Sequence, residues 1–194
     1  MHISLTRTAS LALVSMVFIL TATLPVRAGS ITSTGSFSGT AITANLDFDH
    51  SNQSTPAFTG TFAGTDSHWG NFTGQNVAEL TPVGSCTLPG GVANAGTEFT
   101  LVGGSTVIRN QRGDLSGDLH FDRVTSFTQC IDFSTGAYNF SFTDTTTGGT
   151  GKFEGATGTT TANGTGAILS LGADGHVFGW DQATYTMTLT IPKH

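Results

Sequence analysis

The chain has 194 residues, a formal net charge of −6 and only 10% charged residues, against roughly 25% in an ordinary soluble domain. Gly numbers 26 and Thr 31 after residue 28, while that stretch holds two Lys and three Glu. Strong helix formers are thus scarce, which argues against a helical bundle, a coiled coil and a βαβ nucleotide fold. The acidic balance argues against a nucleic-acid partner.

Residues 1–28 predict an export signal. Arg7 precedes the apolar run Leu11–Leu20, Pro25 breaks it, and Val26-Arg27-Ala28 places modest residues before a cut after Ala28. The run is shorter than the roughly 20 residues a membrane-spanning helix needs. No Cys follows the cut, so lipid attachment there is not supported. The expected product is one domain, residues 29–194, with five basic and thirteen acidic side chains. It is expected outside the cytoplasm, extracellular or periplasmic in a Gram-negative cell, and not integral to a membrane once processed. Cys86 and Cys130 are the only cysteines. An even count in an exported chain predicts a disulfide, with two buried thiols as the alternative.

Along the mature chain the dominant signal is period-two alternation. Ile42, Ala44, Leu46 and Phe48 alternate with Thr43, Asn45 and Asp47. A weaker run spans Ala57–Thr65. Another covers Phe72–Thr81, after which Pro82–Gly96 reads as an irregular loop pinned by Cys86. Glu98–Arg109 follows. Then Leu115, Gly117, Leu119 and Phe121 form an apolar parity against Ser116, Asp118, His120 and Asp122. Val124–Phe133 comes next, then Tyr138, Phe140 and Phe142. Ala156–Thr165 is weaker. The clearest run is the last, where Tyr185, Met187, Leu189 and Ile191 alternate with four threonines. Gly103-Gly104, Gly148-Gly149, Asn163-Gly164 and Asp174-Gly175 read as tight turns.

Eight or nine strands with one apolar face each and short links imply antiparallel neighbours. Their faces are buried by closing into an eight-stranded up-and-down β-barrel or by stacking as a β-sandwich. The barrel is the expectation, since closure also removes sheet edges. Gly and Ala at inward positions either let the strands coil or leave room for a ligand. A lipid-facing barrel is disfavoured, because aromatic girdles and a terminal aromatic are not evident.

Gly148–Gly158 reads GGTGKFEGATG, between the strand at Tyr138 and a Thr/Gly-rich strand, and His68-Trp69-Gly70-Asn71-Phe72-Thr73-Gly74 opens an earlier one. This arrangement resembles bacterial secreted proteins of the allene oxide cyclase barrel-like superfamily, related in shape to dirigent proteins. There a G-T-G-[KR]-F-x-G-A-x-G turn joins two late barrel strands. The likeness covers about His68 to Ile168 and implies an eight-stranded barrel. The superfamily's enzymes cyclise a fatty-acid epoxide or steer the coupling of phenolic radicals, so it also implies a hydrophobic small molecule at or inside the barrel. No catalytic residue carries over. The same turn is not a P-loop, because Thr146 and Phe153 stand where Gly and Ser/Thr are needed.

Candidate chemistry is sparse. No G-x-S-x-G elbow and no close His pair is present, and His120 with Asp122 reads as a solvated face. No metal and no cofactor is expected. Glu79, on a partly buried parity with Val77, is the one candidate acid or base. His68 and Trp69 beside a turn, with Tyr138, Phe140 and Trp180, are the candidate ligand-lining residues. The expected role is a secreted barrel that binds an apolar small molecule, with no pattern that specifies turnover. The alternatives are a cofactor-free isomerase or cyclase, and a structural or interaction protein of the cell surface.

Overall fold

The computed structural model describes residues 29–44, 46–48, 50, 56–113, 117–172 and 176–192. The expected signal segment, the Asp174-Gly175 turn, Leu115 and Asn45 lie outside the described residues. Eight strands follow in order: β1 Gly29–Ala44, β2 Ala57–Asp66, β3 Gly70–Cys86, β4 Gly96–Asn110, β5 Leu119–Ile131, β6 Ala137–Gly149, β7 Thr157–Leu171 and β8 Val177–Ile191. Each pairs antiparallel with its sequence neighbour, and β1 closes on β8 from Gly29↔Ile191 to Ile42↔Phe178. The sheet is therefore a closed up-and-down barrel, not a sandwich.

Inward residues follow the alternation in most strands. Ala183, Met187 and Leu189 are buried in β8, while Thr184, Thr186 and Thr188 are exposed. Threonine suits that outer face, because its branched Cβ fits a pleated strand and its hydroxyl tolerates water. Among the described residues, no helix is long and apolar enough to cross a membrane.

Inward glycines serve the aromatic rings. A Cβ on Gly164 would collide with the Phe140 ring, and one on Gly74 with the Phe62 ring. Rings from one strand thus lie across glycines of the next, which fits large side chains into a narrow barrel.

One end of the barrel is plugged. The β6–β7 connection carries a short 3₁₀ turn, Gly151–Phe153, and Phe153 is completely buried with Trp69, Ala156, Met187 and Leu189. Gly151 has φ +56°, and any side chain there would strike the Asp118 carboxylate that accepts the Lys152 N–H. This is the turn on which the superfamily resemblance rests, and its Phe holds the connection against the barrel base. At the opposite end Cys86 and Cys130 form a disulfide with S–S 2.04 Å. It joins β3 to β5 over β4, where a Cβ on Gly96 would lie 2.8 and 2.9 Å from the two sulfurs.

Several sequence expectations need correction. β1 begins at Gly29, far upstream of the alternation at Ile42, and its inward parity is the opposite one. Ile42 is 49% exposed, whereas Thr43 lines the interior. Gly103-Gly104 and Asn163-Gly164 are not turns but lie within β4 and β7. Gly103 sits beside the register shift at Glu79/Leu80. The expected loop after Pro82 is strand as far as Cys86. Leu119 and Phe121 point outward, and their polar neighbours His120 and Asp122 are the buried pair.

Candidate functional site: a polar belt beneath an aromatic chamber

Above the plug the barrel encloses a cavity of about 340 Å³, within the usual range of roughly 300–1,000 Å³ for ligand sites. Its upper wall is aromatic. Phe127, Phe140 and Phe142 form a stack with ring planes within 7° and centroids 6.0 and 6.4 Å apart. Phe37, Phe58, Leu80, Phe99 and Ile131 complete the chamber. At the rim the Tyr138 hydroxyl donates to the Trp180 carbonyl at 2.9 Å. Burial first, and then the nearby Asp181 charge, push the Tyr138 phenol above its ordinary range. Burial also raises the Asp181 carboxyl.

Between chamber and plug runs a belt of buried polar residues drawn from nearly every strand. It contains Ser33, Asp66, Thr106, Asn110, His120, Asp122, Asp144, Thr146 and Thr160. The strand registers explain the grouping. Asp122 lies opposite Thr106 on one side and Thr146 on the other, and Asp144 lies opposite Thr160.

The belt has two unlike halves. Asp66 is saturated: its Oδ1 accepts the backbone N–H groups of His68 and Trp69 at 2.7 and 2.8 Å. Its Oδ2 accepts the hydroxyls of Ser33 and Tyr185 at 2.9 and 2.8 Å. A buried carboxylate with four donors is a stable structural feature. The Tyr185 phenol is raised by burial, by that hydrogen bond and by the Asp66 charge.

Across the barrel both oxygens of Asp122, one of Asp144, the Thr146 hydroxyl and both His120 nitrogens lack a hydrogen-bond partner among the described residues. His120 and Asp122 are 2% and 3% exposed. The His120 Nε2 lies 3.5 Å from Asp122 Oδ2, close enough for charge attraction. Burial nevertheless lowers the His120 pKa against the pull of Asp122 and Asp66, so the ring favours its neutral form. Burial, and then repulsion from Asp122, push Asp144 up to about 7, with a Thr106 hydrogen bond opposing them. The Asn110 and Trp69 side-chain N–H groups also lack protein partners. Unbalanced buried groups of this kind concentrate at functional sites, because stability alone would select against them.

Of the residues expected to line a ligand, Trp69, Tyr138 and Phe140 face the cavity. Trp180 does not: it lies on the outward parity of β8, between the inward Gly179 and Asp181, and is 39% exposed. His68 is exposed on the β2–β3 turn, its ring against Trp69 at 4.4 Å between centroids. Glu79 is 0% exposed yet is not part of the cavity wall. It lies on the outer parity of β3, between inward Ala78 and Leu80, and its carboxylate accepts the Phe48 backbone N–H at 2.5 Å. The Phe48 side chain covers the facing Gly103. Glu79 therefore holds Phe48 of the β1–β2 connection against the barrel wall.

Sequence reasoning missed the belt because its strands look one-faced. On β5 the inward parity is His-Asp-Val near the base, where a simple apolar rule selects the other parity. The available signal was the pair of adjacent β5 and β6 patterns, His120-x-Asp122 and Asp144-x-Thr146, in which polar residues continue parities that become apolar further along. Among the described residues no group of three or more His, Cys, Asp or Glu is arranged to hold a metal ion. Compared with known protein families and with curated proteins, the chain matches none.

Proposed function

We propose that this protein is an exported carrier or receptor for an apolar small molecule, held inside the barrel. The observation that carries this reading is the enclosed chamber of about 340 Å³ with stacked aromatic walls. Burying a ligand tail there removes apolar surface from water at roughly 25 cal/mol per Å². Membership of the allene oxide cyclase barrel-like superfamily is part of the proposal, supported by closed eight-strand topology and the buried Phe of the Gly-rich turn. Export is supported by the disulfide and by the signal-like residues 1–28.

Proton-transfer chemistry of an isomerase type is the second reading. Asp144, pushed up to about 7 in the same buried belt as a His120 that burial keeps toward its neutral form, is the observation in its favour. Glu79 has no part in it, being outside the cavity wall. The cell-surface structural reading keeps its Thr/Gly/Ser-rich exterior as support, but the closed sheet gives it no long unpaired strand edge among the described residues.

The test is saturable binding of a neutral apolar fluorophore, N-phenyl-1-naphthylamine, to the purified mature protein. Ala41 lines the chamber, and Ala41→Trp should abolish the fluorescence enhancement without unfolding the barrel. Absence of saturable binding by the wild-type protein would overturn the proposal.

A further inference from the structure

We propose that the polar belt is a binding site for a protonated amine, so that the molecule taken up is a cationic amphiphile with its tail in the aromatic chamber and its ammonium head between Asp122 and Asp144. The inference rests on the chamber being a ligand site and deepens it by naming the ligand's head group.

Four aspartates, Asp66, Asp122, Asp144 and Asp181, line the cavity, and among the described residues no Lys or Arg does. His120 does not supply the missing positive charge, because burial favours its neutral form. An apolar cavity walled by aspartates and aromatic rings attracts a cation and repels a carboxylate.

Asp66 shows what this barrel does with a carboxylate kept for structure: it surrounds it with four donors. Asp122, equally buried, has no donor on either oxygen, and Asp144 lacks one on Oδ1. An ammonium group has three donors and no acceptor. Both oxygens of Asp122 and Oδ1 of Asp144, on two residues that line the cavity, supply three acceptors. A single hydroxyl head could donate to only one of them. Asn110 and Trp69 offer two neutral donors, which do not offset the negative charge that Asp122 and Asp144 bring to the same belt.

The titratable groups around the site are His120 and Asp122 on β5, Asp144 on β6, Asp66 on β2 and Tyr185 on β8. Asp144 changes state near pH 7, and an ammonium head favours its ionised form. Amine affinity should therefore rise from pH 6 to pH 8, while affinity for a neutral ligand stays flat.

The experiment displaces N-phenyl-1-naphthylamine from the wild-type mature protein with decylamine, decan-1-ol or decanoate, each below its micelle concentration. At pH 8 decylamine should bind about tenfold or more tighter than decanol, with decanoate weakest. Its affinity should rise severalfold between pH 6 and pH 8. In the Asp122→Asn/Asp144→Asn variant the amine preference should vanish and decanol affinity should persist. Equal amine and alcohol affinities, a preference for decanoate, a flat amine pH profile or an unchanged preference in the variant would each overturn the amine assignment and leave the chamber standing. Failure of the fluorophore itself to bind would instead remove the chamber reading. If the double variant does not fold, the wild-type ranking and pH profile still decide.

Discussion

Asp66 and Asp144 are both buried carboxyls of one polar belt, and their surroundings give them opposite tasks. Four donors hold Asp66, whereas Asp144 is raised to about 7 by burial and by Asp122. A carboxyl whose pKa is raised in the folded state contributes stability below its unfolded value near 3.8, and that contribution is lost as pH rises through about 7. His120 acts in the opposite direction. Its folded pKa lies below 6.5, so stability falls as the solution is acidified through that value. Asp144→Asn should therefore stabilise the protein at pH 8 by on the order of 2–4 kcal/mol. It should also make the slope of stability against pH more positive between pH 5 and 7. Thermal unfolding across that range checks both signs. Glu79→Gln should weaken the attachment of the Phe48 segment and cost about 1–3 kcal/mol in urea unfolding. Fluorophore affinity should stay unchanged, since Glu79 is not part of the cavity wall.

At the scale of elements, the ends of the barrel are secured by different means. The base depends on packing, with Phe153 wholly buried against Trp69 and at 5.3 Å from the His120 ring. Phe153→Ala should cost about 3–5 kcal/mol, read as a lower urea midpoint. The mouth depends on covalent chemistry. The disulfide closes a separation of 44 residues, for which chain entropy gives about 3–4 kcal/mol. The Cys86→Ala/Cys130→Ala variant should lose stability of that order, measured by denaturant unfolding against the oxidised wild type. Gly96→Val should impair oxidation, because its side chain would occupy the place where the sulfurs cross β4. A thiol titration of the purified variant reads this directly.

For the whole molecule, closure is what turns eight ordinary strands into a container. Pairing of β1 with β8 removes both edges and gives every inward parity a common interior. The interior is graded from an aromatic mouth to a polar belt to an apolar plug, so in the proposed binding mode the ammonium head would lie at full depth with its tail toward the mouth. That gradient is why a bulky residue at Ala41, near the mouth, is expected to exclude ligand without touching the belt.

Much of this was legible along the chain. Periodicity in β6 and β8 identified inward Tyr138, Phe140, Phe142, Met187 and Leu189, because those strands place bulky apolar residues on one parity. The cysteine pair was legible from its even count, and the plugging turn from its Gly-Thr-Gly-Lys-Phe pattern. Composition and alternation together determined an antiparallel all-β domain, since local strand preference is a property of neighbouring residues. What the tertiary structure alone decided was the sign of each face. Ile42 turned outward and His120 inward because barrel register, set by β1 closing on β8 and by bulges in β3 and β5, overrides the local rule that apolar residues face in. Burial of Glu79 beside Phe48, and convergence of Asp122 and Asp144 on one cavity, arise from contacts between separate segments, which no local pattern encodes.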